Sequence, residues 1–325
     1  MKPDQPFRCL LKRIIFWSTC SLALLPMVSY NINSILIIIW VSLLLIYNII
    51  EAKRPVRRLK SGDLFLFLLL SGNFILFLIS LLYSEDISEG FSAIRVSLPM
   101  FVFPFCFFLL PASVDITKRR MQIILFVFWL SCLLTAAFLY YRFVGMGLLD
   151  NWSNVDSFYN MYRESANKFV GKHPTYLSIY FSFAVFIAIT WLSRERSIFK
   201  IIAYSLSIVF LLGLILQFGS RTAIFSLPLS LIVILFLRVK SHKLKWIVIT
   251  SIIAVFAVLI RFTPAVYSRL EEVKDTAFVP PKAEQFNSTN LRAGIYYCSW
   301  NIISDHWLFG VGVGDDKKML TDCYA

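Results

Sequence analysis

Long apolar runs alternate with short polar connections along most of this chain. Nine runs can be read, at 11–29, 33–50, 63–83, 96–111, 121–143, 174–193, 198–217, 222–237 and 245–262. Each is near the roughly 20 residues that a helix needs to cross a bilayer, so the pattern predicts about nine transmembrane helices. The fourth run is among the shortest and holds Pro99 and Pro104. Proline removes an intrahelical hydrogen bond and crowds the preceding turn, which predicts a bend there. Only Tyr30–Ile32 separates the first two runs, which predicts a helical hairpin. Lys12 and Arg13 ahead of an apolar stretch resemble a signal peptide. No clean small-residue cleavage site follows, and a second span comes at once, so the expectation is an uncleaved first helix.

After the ninth run the pattern changes. From about Arg261 to Ala325 the chain mixes polar and apolar residues and does not return to lipid. Within it Leu291, Ile295, Cys298 and Ile302 recur at three- and four-residue steps, with Phe309 further on, which is helix spacing. Ser288, Thr289 and Asn290 are N-cap candidates. Gly310 is a natural stop, because glycine takes the left-handed conformation cheaply. The prediction is an amphipathic helix against a membrane bundle, then a glycine-rich turn. The fold class expected is therefore all-α, a polytopic helical membrane protein. Residues 1–262 would form the bundle, and 263–325 a large segment carrying the amphipathic helix.

Composition agrees with the pattern. The chain is 58% hydrophobic and 16% charged, against about 45–50% and 25% for a soluble domain. Most of its surface must face something other than water. The net charge of +13 would by itself suit nucleic acid, but its placement excludes that partner. Nineteen of the 32 basic residues fall at the N-terminus or in alternate connections: 53–60, 118–120, 194–200 and 238–245. The short connections between them hold few: none at Tyr30–Ile32, Arg95 beside Glu85, Asp86 and Glu89, and Arg221 after the seventh run. The positive-inside rule then puts the N-terminus in the cytoplasm, with 144–173 and 263–325 on the far side.

The six cysteines have no C-x-x-C spacing, so no metal site is expected. Cys298 and Cys323 share the final segment. Outside the cytoplasm they are a candidate disulfide, with two unpaired thiols as the alternative.

Arg221 lies in Phe-Gly-Ser-Arg-Thr, residues 218–222, between two apolar runs with almost no loop. A charge at the end of a membrane helix usually has a partner. Guanidinium binds phosphate oxygens in a bidentate fork, so an anion clamp is one reading and snorkelling to headgroups the other. Arg292 opens the predicted amphipathic helix, where the dipole disfavours a cation unless an anion joins it. The alternative is a solvated arginine. Gly310, Gly312 and Gly314 precede Asp315 and Asp316 in a run that is neither a dinucleotide fingerprint nor a P-loop. The two aspartates either bind a cation or sit in a solvated turn. His173 and His306 are the outer histidines, candidate general bases or packing and interfacial residues. His242 lies among lysines. Tyr296, Tyr297, Trp300 and Trp307 suit the bilayer interface first and sugar stacking second.

The stretches SRTAIFSLPLSLIVILFL, from Ser220, and LRAGIYYCSWNIISDHWLFGVGVGDD, from Leu291, resemble the O-antigen ligase/polymerase family of the bacterial envelope. HPTYLSIYFSF at 173–183 is similar to members of that group. The resemblance covers roughly 170–320, and its specific part is the glycine run and the two arginines. It implies an inner-membrane, multi-pass enzyme that moves a glycan from undecaprenyl diphosphate to an acceptor hydroxyl, on a glycan or on lipid A-core. No cofactor, metal or nucleotide sugar is implied. Residues 263–325 would be periplasmic. Arg221 and Arg292 would hold the donor diphosphate, and Gly312 and Gly314 would belong to the substrate-binding segment. The family's base is a histidine in a His-Asn pair later in the same outer loop. This sequence reaches Ala325 without that pair, so the expectation is a member lacking the family's C-terminal part. The alternative function is a transporter or flippase of lipid-linked sugars. That would place ionisable groups near mid-membrane, whereas here they sit at the outer rim.

Overall fold

A computed structural model describes residues 5–51, 61–109, 117–147, 155–238, 241–262 and 288–324. Among them there is no strand; the chain is a succession of helices. They group into two compact units: Met1–Phe16, Ile38–Asp115 and Glu272–Ala325 in the first, Trp17–Ile37 and Ile116–Glu271 in the second. The boundary expected at 262 adjoins residues 263–287, which lie outside the described residues.

α1 (Gln5–Leu22) and α2 (Tyr30–Glu51) contribute to both units. The first unit also holds α3 (Ser61–Leu81), α4 (Ile87–Ser97), α5 (Pro99–Pro104), α12 (Ser288–Asp305) and α13 (Asp316–Tyr324). The proline bend forms as the sequence predicts. Pro99 restarts the helix after Leu98, and beyond Pro104 the backbone runs as a π-helical turn, Phe105–Leu109. Ile87–Ser97 and Pro99–Phe108 are bent by 43° to each other. Aromatic rings hold the bent piece. Phe101 packs against Phe67 and Phe74, and the fully buried Trp40 against Phe103 and Phe107.

The second unit holds α6 (Lys118–Gly145), α7 (Val155–Val170), α8 (Pro174–Leu192), α9 (Ile198–Gln217), α10 (Arg221–Arg238) and α11 (His242–Phe262). Its core follows helical spacing. Cys132, Ala136, Leu139 and Phe143 of α6 are fully buried, as are Leu177, Phe181, Ala184 and Ala188 of α8. Small residues on both helices let backbones approach, which matters in a bilayer where lipid competes equally for apolar surface. α7 falls in the connection that the apolar pattern leaves as a loop. It was illegible because its polar residues break any long apolar run, yet Tyr162 and Ala166, one helical turn apart, are fully buried. Tyr162 packs on Phe143 with ring centroids 4.2 Å apart.

Five helices are long and apolar enough to cross a membrane among the described residues: α2, α3, α6, α8 and α9. The bent pair α4–α5 is a sixth if it forms one span. The pattern predicted nine. Of the other three, α1 begins at Gln5, takes in Arg8, Lys12 and Arg13, and gives way to turn after Leu22. In α10 and α11 the apolar stretches within the described residues are short, Thr222–Ile234 and Ile249–Val258.

Candidate functional site

The glycine run is a turn docked into the corner between α3 and α4. Gly310 closes the turn that follows the helix ending at Asp305, its φ at +69° and its N–H donating to the His306 carbonyl at 2.8 Å. Gly312 has φ +89°. A Cβ on Gly312 would lie 2.5 Å from Ser84 Oγ and 3.0 Å from Ser84 Cα, and one on Gly314 only 1.9 Å from the Asp86 carbonyl oxygen. Absence of side chains therefore lets two backbones meet. Where they meet, polar groups pair. Gly314 N–H donates to Ser84 Oγ at 3.0 Å. The Asp315 carboxylate accepts from the N–H groups of Glu85 and Asp86 at 2.8 and 2.9 Å. Tyr83 donates its hydroxyl proton to the Phe309 carbonyl, and Lys317 pairs with Glu89. The bonds from Asp86 and then Glu85 hold the Asp315 carboxyl below its usual value of 3.8. Asp315 is thus committed to backbone, and Asp316 opens α13.

Cys298 and Cys323 are joined in a disulfide, resolving the alternatives left open by sequence; their Cα atoms are 5.9 Å apart. The bridge ties α13 back to α12 across the glycine turn. α12 forms where predicted, but Ser288–Asn290 build its first turn rather than precede it. Its expected apolar face is buried only in part, at Cys298 and, half-buried, at Ile302. Leu291, Ile295 and Phe309 are exposed, whereas Asn290, Ala293 and Cys298 are buried. Tyr296 and Trp300 put apolar bulk on the exposed side too, so no clean amphipathic division exists.

Beside the turn lies a cleft of about 770 Å³, bounded by α3, α4, residues 308–313 and Lys317. Gly310 and Gly312 line it; Gly314 is spent on the Asp86 contact.

Arg292 lies exposed in the first turns of α12, in the first unit. Arg221 belongs to the second unit and is the first residue of α10; its side chain lies outside the described residues. The turn that carries it follows a buried aromatic anchor. Phe218 is 1% exposed and stacks on Phe181, and Gly219 takes φ +57°. The Ser220 carbonyl accepts from Ile224 N–H at 3.0 Å.

His173 is the N-cap of α8, its Nδ1 accepting from Thr175 N–H at 3.2 Å. A neutral imidazole accepting at Nδ1 carries its proton on Nε2, so here it presents a donor. His306 is exposed in the turn that follows α12. Sequence reasoning missed Lys172 beside His173. It is fully buried, donates to the Val28 carbonyl, and lies 5.1 Å from the Tyr30 ring centroid. Burial lowers its pKa from 10.5.

Residues 206–322 match the family model described as O-antigen ligase. The match includes Arg221, Arg292, His306 and the glycine turn; His173 precedes it. No curated protein and no solved structure matches the chain. The chain thus combines candidate membrane spans with a stretch, 206–322, that is similar to O-antigen ligase.

Proposed function

We propose that the protein transfers a glycan from undecaprenyl diphosphate to an acceptor hydroxyl, at the outer face of a bacterial inner membrane. The observation that carries this is the match to O-antigen ligase over the stretch holding both arginines and the docked turn. In the step, the acceptor oxygen forms a bond to the anomeric carbon, the bond from that carbon to the phosphate oxygen breaks, and diphosphate leaves with the electron pair. Arg221 and Arg292 offset the charge developing on it, a role that fixed cations fill well in a water-poor site. The acceptor's proton needs a base. His306, exposed and within the matched stretch, is our candidate; His173 is engaged in capping α8. Gly312 and Gly314 would act by fixing the turn next to the site.

Two contacts support the orientation. The corner at 84–86 and the turn at 314–315 are hydrogen-bonded, so they lie on one side of the membrane. Lys172 and Val28 are also bonded. Residues 84–86, 172 and 314–315 fall in connections that the basic-residue pattern puts outside, and Val28 lies at the outer end of the first run, with the N-terminus in the cytoplasm. The disulfide fits an oxidising compartment.

The test is glycan transfer from a polyprenyl-diphosphate donor in proteoliposomes. Arg221→Ala and Arg292→Ala should each abolish most transfer at normal membrane levels. Arg221→Lys should already impair it, because lysine keeps the charge but loses the fork. Wild-type rates in both alanine variants would refute the assignment.

A further inference from the structure

We propose that the cleft between α3, α4 and the glycine turn holds a zwitterionic aminophospholipid, one hydrocarbon chain lying between the two helices and the headgroup at the rim. One wall is a single face of α3 and its exit: Asn73, Leu76, Phe77, Ser80 and Tyr83, at helical spacing. From Asn73 to Tyr83 is about 15 Å at 1.5 Å per residue. That is the depth of one leaflet of a hydrocarbon core roughly 30 Å thick, and α3 is long and apolar enough to span it. The opposite wall is built from small side chains of α4, Ser92, Ala93 and Ser97, with Val96. Small faces in a bilayer normally let helices close on each other; here they border about 770 Å³ of open space. Leu76, Val96, Leu308 and Phe309 around the cleft are all exposed, which suits a mouth that opens into lipid.

The rim selects the headgroup. Glu89, Asp316 and Lys317 line it; Lys317 is paired with Glu89, so the rim offers an ion pair with one further carboxylate. A diphosphate would meet both carboxylates. A zwitterion offers its ammonium to them and its phosphate to Lys317, a complementary arrangement. This lipid is therefore distinct from the glycan donor, and its site stands whether or not the transfer reading does.

The experiment is native mass spectrometry of the purified, delipidated full chain titrated with phosphatidylethanolamine, phosphatidylglycerol or undecaprenyl phosphate. Wild type should retain phosphatidylethanolamine over either anionic lipid by about fivefold, the worth of one interfacial charge. Ala93→Phe, which fills the slot, should lose that retention. Glu89→Gln with Asp316→Asn leaves the slot open and should shift preference toward phosphatidylglycerol. Preferential retention of an anionic lipid by wild type, or no change in preference in the double variant, would overturn the proposal. So would full retention by a folded Ala93→Phe chain.

Discussion

Ser84 and Gly314 meet as hydroxyl and amide, 3.0 Å apart, across 230 residues of sequence, and glycines on the turn make the meeting possible. The three glycines of the run differ in what a methyl would strike. At Gly314 it is a backbone carbonyl at 1.9 Å; at Gly312 it is Ser84, with a positive φ in addition; at Gly310 there is only the positive φ. Gly310→Ala should therefore cost about 1–2 kcal/mol, the left-handed penalty alone. Gly312→Ala should cost more, adding overpacking of about 1–3 kcal/mol to that penalty, and Gly314→Ala, without the left-handed penalty but driven into a backbone carbonyl, should cost at least the top of that overpacking range. Thermal unfolding in detergent ranks them, and equal costs at all three positions would contradict this account of the docked turn.

The Asp315 clasp has a sign in pH. Its carboxyl is held below 3.8 by the Asp86 and Glu85 amides. Its stabilisation is therefore fully present above 3.8 and disappears as pH falls through the lowered folded value. Asp315→Asn should lower the melting temperature at pH 7, and the gap to wild type should shrink in acid below 3.8. Lys317 runs the other way. Its pKa is raised from 10.5 by Glu89, so its contribution is present below 10.5 and lost as pH rises through the folded value. A gap for Asp315→Asn that stays constant from neutral pH down into that acid range would remove the carboxylate from the clasp.

The disulfide should be both detectable and stabilising. Cys9 is the exposed free thiol among the described residues, and Cys20, Cys106 and Cys132 are buried. Maleimide labelling of the native chain should modify Cys9 and leave Cys298 and Cys323 untouched until reduction. With a sequence separation of 25 between the bridged cysteines, loop-closure entropy predicts about 3–4 kcal/mol. Cys298→Ser with Cys323→Ser should lose that amount. Labelling of Cys298 without reductant in protein from oxidising membranes would exclude the bridge.

Helices and the proline bend were legible because apolar run length and proline act locally. The span count was less so, since hydropathy registers α1, α10 and α11 without their helix limits. Asp86 and Glu89 carry the D-x-x-E spacing of a capping box, and Asp86 does accept from Glu89 N–H at 2.9 Å. That signal was available for α4 but lay in a stretch treated as loop. The partnership of residues 84–86 with 312–315 was not legible, because nothing local encodes a contact across more than 220 positions. The same limit hid Lys172 and Val28. Glycine spacing gave away the turn but not its partner, and aspartates that sequence offers as a cation site are used as a backbone acceptor and a helix start.

The long contacts and the charge pattern together make a testable prediction of membrane sidedness. Residues 84 and 314 are bonded, so an even number of crossings separates them. The nine-run reading supplies an even number between them, from the fourth run to the ninth. Residues 28 and 172 are likewise bonded, and their parity agrees in the same reading. By the positive-inside rule, the lysines and arginines at 53–60 and 118–120 predict the cytoplasmic side for those connections. Reporter fusions after Lys60 and Arg120 should report cytoplasm, and fusions after Asn160 and Asn287 the far side. A cytoplasmic signal after Asn287 combined with an outer signal after Asn160 would break the parity; cytoplasmic signals after both, with outer signals after Lys60 and Arg120, would keep the parity and invert the protein.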